Sequence, residues 1–227
     1  AAEPICRYVE SNTMDNSRNE ICLLYGASAT YEYEGNLYIN MTNQCPNRCD
    51  FCLRQNSSGS LYASNLWYQG GEPTKEEFWA ELQRRELNRY MEIVFCGYGE
   101  PACRWDDMMW LCDKIRSTGS HFIRINTNGQ ANLITGRSAA LELDGRVDAV
   151  SVSLNASTAE GYDQVCHSRF GLQALPAILK FTATAVLNVP HVRMTVVSTM
   201  PKEEQEACRQ AAESVGADFV IREYISA

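Results

Sequence analysis

Apolar and polar positions along the chain change period at regular intervals, and each change marks an element. YEYEGNLYINMT (31–42) alternates with period two around Glu34-Gly35-Asn36, which predicts a hairpin feeding a strand. EPTKEEFWAELQRRELNRY (72–90) switches to helical spacing, with Thr74 as N-cap and Glu77 three residues on completing a capping box. MEIVFC (91–96) reads as a strand and WDDMMWLCDKIRSTG (105–119) as a helix stopped by Gly119. HFIRIN (121–126) is a strand, and ANLITGRSAALEL (131–143) a loop with a weak helix. After the strand VDAVSVSLN (147–155), Ser157 with Glu160 predicts a second capping box for STAEGYDQVC. LQALPAILKFTATAVL (172–187) is helical despite Pro176 and HVRMTVV (191–197) is a strand. PKEEQEACRQAAESVG (201–216) is a helix running from Pro201 to Gly216, and DFVIREY (218–224) closes as a strand. Six strands separated by helices predict parallel βα units, because each crossover returns to the same edge.

These strands are not uniformly apolar, as parallel strands covered on both faces usually are. Alternation sets Arg124, Asn126 and Asn128 on one face, opposite Ile123 and Ile125. It groups Ser151, Ser153 and Asn155 likewise, Arg193 with Thr195, and Asn40 with Thr42. Satisfied core polar groups account for one or two such residues, not for four strands. The pattern predicts a polar lumen. Each chemically loaded segment also follows a strand, so in a parallel barrel CPNRCDFC, GYGEP, NTNG and SLN converge on one rim.

The totals narrow the classes. With 227 residues the chain is long enough for one large domain with a real core. A net charge of −8 argues against broad nucleic-acid binding, which needs a basic face. No apolar run reaches the length of a membrane span, and ICLLYGASA (21–29) is too short and lacks the basic flank of a signal peptide. The missing initiator Met is read as processing or as residues left from expression. Residues 1–29 are polar and aperiodic in SNTMDNSRNE, and are expected to form an N-terminal extension without chemistry; residues 30–227 form the main domain.

Ten cysteines stand against three histidines, and three of the ten fall within eight positions as Cys45, Cys49 and Cys52. The chain is not a small secreted disulfide scaffold, so a metal site plus ordinary buried thiols in a reducing, cytoplasmic compartment is the expectation. Thiolates suit zinc or iron–sulfur clusters. A structural zinc site wants a fourth ligand, yet no second Cys pair or His pair accompanies these three. Three thiolates on one loop instead leave one iron of a cubane cluster open. Zinc binding, and a non-catalytic iron–sulfur module for electron transfer or redox sensing, remain the alternatives. Cys96, Cys103 and Cys112 match no second-cluster spacing, Cys166 and Cys208 read as helix core, and Trp67, Tyr68, Trp79 and Trp105 as packing.

Cys45-x-x-x-Cys49-x-x-Cys52, with Phe51 before the last cysteine and a strand upstream, resembles the signature of the radical S-adenosylmethionine (radical SAM) superfamily. More narrowly, NLYINMTNQCPNRCDFCLR, EIVFCGYGEP, IRINTNG, VDAVSVSLNA and VIREY resemble the small TatD-associated radical SAM proteins, over roughly residues 30–225. The resemblance implies a partial (β/α)6 TIM-like barrel in which Cys45, Cys49 and Cys52 hold a [4Fe–4S] cluster whose fourth iron chelates S-adenosylmethionine. It implies that Gly97, Tyr98, Gly99 and Glu100 meet the methionine ammonium through backbone and acid. Phe51 is expected near adenine, Ser153 and Asn155 at the ribose, Asn126 and Asn128 in the same pocket or at the substrate, and Arg169 at the methionine carboxylate or in a surface salt bridge. The implied activity is reductive cleavage of S-adenosylmethionine and hydrogen abstraction from a small-molecule or peptide substrate, with flavodoxin or ferredoxin as electron donor. An activase acting on a protein is the enzymatic alternative. From the strand alternation, Arg124 and Arg193 are expected in the lumen beside Thr195, together holding an anionic substrate group.

Overall fold

The computed structural model describes residues 18–56, 60–61 and 64–224, so most of the polar opening segment lies outside the described residues. Helix α1 (Arg18–Tyr25) leads to strands β1 (Thr30–Tyr33) and β2 (Asn36–Ile39), then α2 (Leu53–Asn56) and the two-residue strands β3 (Ser60–Leu61) and β4 (Ser64–Asn65). The series continues with α3 (Lys75–Gln83), β5 (Ile93–Phe95), α4 (Trp105–Arg116), β6 (Ile123–Thr127), α5 (Ala131–Thr135) and β7 (Ala149–Ser153). It closes with α6 (Ala159–Cys166), α7 (Ala174–Asn188), β8 (His191–Val197), α8 (Lys202–Ser214) and β9 (Asp218–Arg222).

One sheet carries the fold, in the order β1-β2-β5-β6-β7-β8-β9. β1 is antiparallel to β2, and every later pair is parallel. The result is a mixed α/β single domain consistent with a partial TIM-like barrel. The hairpin falls where expected, because Glu34 and Gly35 both take positive φ (48° and 77°), as a type I′ turn requires. Thr74 and Glu77 form the reciprocal capping box that starts α3. Among the described residues no single helix is long and apolar enough to cross a membrane.

Register explains why the strands alternate. Ile39, Phe95, Ile125, Val150 and Val192 lie side by side in one row, all buried. They share a core with Met108 and Leu111 of α4 and Ile178 and Phe181 of α7. One residue along, the opposite face carries Asn126, Ser151 and Arg193 in one row, and two residues further Ser153 and Thr195 in the next. The polar lumen is therefore a property of the paired sheet. Helix α1 docks on the same body through buried Ile21 and through the Tyr25 hydroxyl, which donates to Glu77 Oε2 at 2.9 Å.

Three local expectations are corrected. The cap of α6 is Thr158, whose hydroxyl accepts from the Gly161 amide at 3.1 Å. Ser157 is instead drawn away by α8, its amide and hydroxyl donating to the Glu204 carboxylate at 2.7 and 3.0 Å. Helix α4 ends at Arg116, three residues short of Gly119. Cys22 is disulfide-bonded, so the scattered cysteines are not all ordinary thiols.

Candidate functional site

The loop that carries the cysteines leaves β2 at its C-terminal end and is tied on every side. The Glu100 amide donates to Gln44 O at 2.7 Å, and Arg169 N donates to Pro46 O at 2.9 Å. Arg48 N and Asp50 N donate to the carbonyls of Cys166 and Val165 at 2.9 and 3.0 Å. Beneath them lies a buried side-chain network. Gln130 Nε2 donates to Asn47 Oδ1 (2.8 Å) and to the Tyr162 hydroxyl (3.0 Å). Asn47 Nδ2 donates to the same hydroxyl (2.9 Å), and Ser168 Oγ donates to Gln130 Oε1 (2.7 Å). Burying these groups is tolerable only because they satisfy one another. The sequence reading passes over all four residues. Asn47, a polar spacer inside the cysteine motif, is the signal that points to them.

Cys45, Cys49 and Cys52 form no disulfide and are half-buried, and Cys45 Sγ accepts from the Asn47 amide at 3.4 Å. Burial pushes the Cys45 thiol up to about 12, with Glu100 adding to the effect. Cys49 is raised by its hydrogen bond with Cys166 and by burial, and Cys52 by burial against the opposing pull of Arg54. The thiols keep their protons at neutral pH, and a metal bound here displaces them. Among the described residues no three His, Cys, Asp or Glu side chains close to the spacing of one ion's ligands. A tetrahedral zinc, with Zn–S near 2.3 Å, draws its sulfurs to about 3.8 Å. A cluster, with its irons on separate corners, holds them wider.

After β5 the motif Gly97-Tyr98-Gly99-Glu100 meets this loop, and its glycines are there for the protein's own backbone. A Cβ on Gly99 would lie 2.1 Å from Thr42 O, and one on Gly97 2.0 Å from Asn40 Oδ1. Tyr98 is buried against Tyr31 and Leu66. Glu100 is almost fully enclosed and works between loops. Its Oε1 accepts from the Thr127 hydroxyl (2.6 Å) and the Ala102 amide (3.0 Å), and its Oε2 from the Asn128 amide (2.7 Å). Burial raises its pKa despite these three donors. With about four acceptor positions on a carboxylate, one on Oε2 stays open. The acid expected to pair a ligand ammonium is first of all a tie between β5 and β6.

The ends of β6 and β7 complete the rim. Four buried side-chain polar atoms lack a partner among the described residues, and two of them are here: Asn128 Nδ2 and Asn155 Oδ1. Asn155 also holds φ at 64°, a left-handed conformation that is costly for a residue other than glycine. Its Nδ2 reaches Cys166 Sγ at 3.7 Å, which sets it beside the cysteine loop through Cys49. Phe51 packs on the core, while Ser153 lies half-buried next to Thr195 in register. The Arg169 side chain forms no salt bridge among the described residues and lies over the Phe170 ring at 4.7 Å. Cys103, pushed up to about 12 by burial, sits close enough to Cys45 and Arg169 to feel both charges.

The expected pair of substrate arginines is not found. Arg124 is buried and committed: its Nε and Nη2 both donate to Glu92 Oε2 at 2.7 Å, and its Nη1 to Asn126 Oδ1 at 2.6 Å. Parallel register brings Glu92, just before β5, alongside Arg124 on β6, close enough to neutralise it. Asn126 is thereby oriented toward this pair and toward Cys96, with which it also bonds. Arg193 stays half-buried in the lumen, its Nε donating to Ser151 Oγ at 3.3 Å. Thr195 is buried, its hydroxyl directed at Val152 O at 3.4 Å.

Comparison with known proteins adds a family. The family model described as the Radical SAM superfamily matches residues 39–212. No curated protein matches the chain. Among solved structures, the chain is similar to a radical SAM methyltransferase from Sphaerobacter thermophilus, at 16% identity and a TM-score of 0.47, over 86% of this chain and 68% of that one.

Proposed function

This chain belongs to the radical SAM superfamily, and from that premise we propose that it is a radical S-adenosylmethionine enzyme whose [4Fe–4S] cluster is held by Cys45, Cys49 and Cys52. The observation that carries the reading is the pair of orphaned buried atoms on the rim, the donor Asn128 Nδ2 and the acceptor Asn155 Oδ1. Leaving such groups unpaired costs about 1–3 kcal/mol each. A ribose hydroxyl both donates and accepts, so a bound nucleoside satisfies both. The donor set fits as well, with three thiols, none of them in a disulfide, on a tethered loop.

When bound, cluster and cofactor supply reductive cleavage of the sulfonium C–S bond to methionine and a 5′-deoxyadenosyl radical that abstracts hydrogen. The chain's own residues bind and orient. Glu100 fixes the loops after β5 and β6 and keeps one acceptor position for the methionine ammonium. Arg169, which forms no salt bridge among the described residues, would meet the methionine carboxylate, and Phe51 the adenine side. The narrower likeness to the TatD-associated proteins, a flavodoxin- or ferredoxin-type electron donor and a cytoplasmic setting belong to the same reading.

Anaerobic reconstitution should load about four irons per chain, the content of one cubane cluster. Dithionite with S-adenosylmethionine should then release 5′-deoxyadenosine. Full iron retention after replacing all three cysteines by Ala, or no 5′-deoxyadenosine from loaded protein, overturns the proposal.

A further inference from the structure

We propose that the floor of the lumen is a binding pocket for an oxyanion of the substrate, a carboxylate or a phosphate, centred on Arg193 and Ser151. The inference rests on the radical SAM reading only in naming the ligand as substrate. Its geometry is independent of the cluster.

Asn126, Ser151 and Arg193 occupy one lumen-facing row on three adjacent strands. Arg193 uses Nε on Ser151 Oγ at 3.3 Å, which leaves the two Nη groups, a planar fork of donors. Among the described residues no carboxylate pairs with it. Asp218 is its register partner on β9, yet the two form no salt bridge. Since Ser151 Oγ accepts from Arg193, its own proton is free to donate to a ligand.

The charge around this row is out of balance. Burial lowers the Arg193 pKa, and Arg124 and Arg222 lower it further, with Glu92 opposing. Across the lumen, the Cys96 thiol at the end of β5 also senses both Arg222 and Arg124. The one carboxylate that opposes Arg193 and Arg124, Glu92, is already spent on Arg124. A half-buried guanidinium is costly without a partner, and its fork matches two oxygens of one anion. Arg124 serves this pocket as a neutralised wall rather than as a ligand. The row lies two residues, about 6.6 Å, deeper than the Ser153–Thr195 row. A substrate anchored there extends upward to the rim where the cysteine loop sits.

The test is a titration of the reconstituted, full chain with inorganic phosphate and, separately, malonate, at constant ionic strength set by chloride. Saturable binding by calorimetry, with a concentration-dependent rise in Tm that chloride does not produce, is expected for at least one anion. Which anion binds more tightly separates the phosphate and carboxylate sources. Arg193→Gln should weaken that binding roughly ten- to a hundredfold, the worth of a charged hydrogen-bonded contact. If Arg193→Gln does not fold by circular dichroism, Arg193→Lys and Ser151→Ala are read instead, each with a several-fold loss expected. No saturable binding to the wild type, or equal affinity in the folded variants, overturns the pocket. Iron content and S-adenosylmethionine binding, measured on the same samples, report on the cofactor reading separately. Their failure leaves an Arg193-dependent anion site standing.

Discussion

Replacing Gly99 by Ala drives a methyl group into the carbonyl of Thr42. The added Cβ would lie 2.1 Å from Thr42 O and 2.7 Å from Gln44 O, both backbone atoms. Ordinary contact needs about 3.5 Å or more, so the loops after β2 and β5 must separate by roughly an ångström. Gln44 O is also the acceptor for the Glu100 amide at 2.7 Å, and that bond is lost in the separation. Overpacking costs about 1–3 kcal/mol and the hydrogen bond about 0.5–1.5, together roughly 2–4 kcal/mol. At about 2–4 °C per kcal/mol for a chain of this size, Tm should fall by roughly 5–15 °C. Gly136→Ala is the control, with φ of 71° but nothing within 4 Å of the new Cβ. It should lose only the left-handed backbone penalty, about 1–2 kcal/mol. Urea denaturation of both variants in metal-free, reduced form decides the matter. If Gly99→Ala loses no more than Gly136→Ala, steric approach is not what this glycine is for.

The buried network and one histidine give two more expectations. Gln130→Leu removes the partner of Ser168 Oγ and Asn47 Oδ1, and should lower stability by roughly 2–4 kcal/mol in urea; an unchanged midpoint refutes the network. Burial holds His121 below the ordinary histidine value, and Arg116 pushes the same way. With its folded pKa depressed, the unfolded chain takes the proton first. Stability is therefore complete above about pH 6.5 and falls as pH drops below it. His121→Asn should flatten that decline between about pH 7 and 5.5; identical slopes in both proteins would refute it.

Features set by near neighbours were legible in the sequence, and those set across strands were not. The Thr74–Glu77 box closes within one turn, and the Glu34-Gly35 turn needs only local backbone preference. The polar lumen showed because period-two alternation survives any register. Ser157 failed as a cap because Glu204, on a different helix, competes for it. Arg124 failed as a substrate ligand for the same kind of reason: Glu92 precedes the neighbouring strand and meets it only once parallel register is fixed. Glu100 stood out as an acid in a glycine motif, but its three donors come from its own turn and from β6. Gln130 carries no motif at all. Its importance comes from reaching Asn47 and Tyr162 at once, which no local pattern encodes.

The tethers on the cysteine loop have a consequence for how a metal centre is assembled. Fixing a free loop costs about 1–2 kcal/mol per residue in backbone freedom. Here that cost is paid during folding, through bonds from Gln44, Pro46, Arg48 and Asp50 to three other segments and through Asn47 below. A zinc finger is unfolded without its ion, so that metal uptake and folding are one event. This loop is a finished mould instead. If the proposed cluster binds here, filling the loop would be a step separate from folding, and oxidative loss of the cluster would leave a vessel that can be refilled without the chain having to find its fold again.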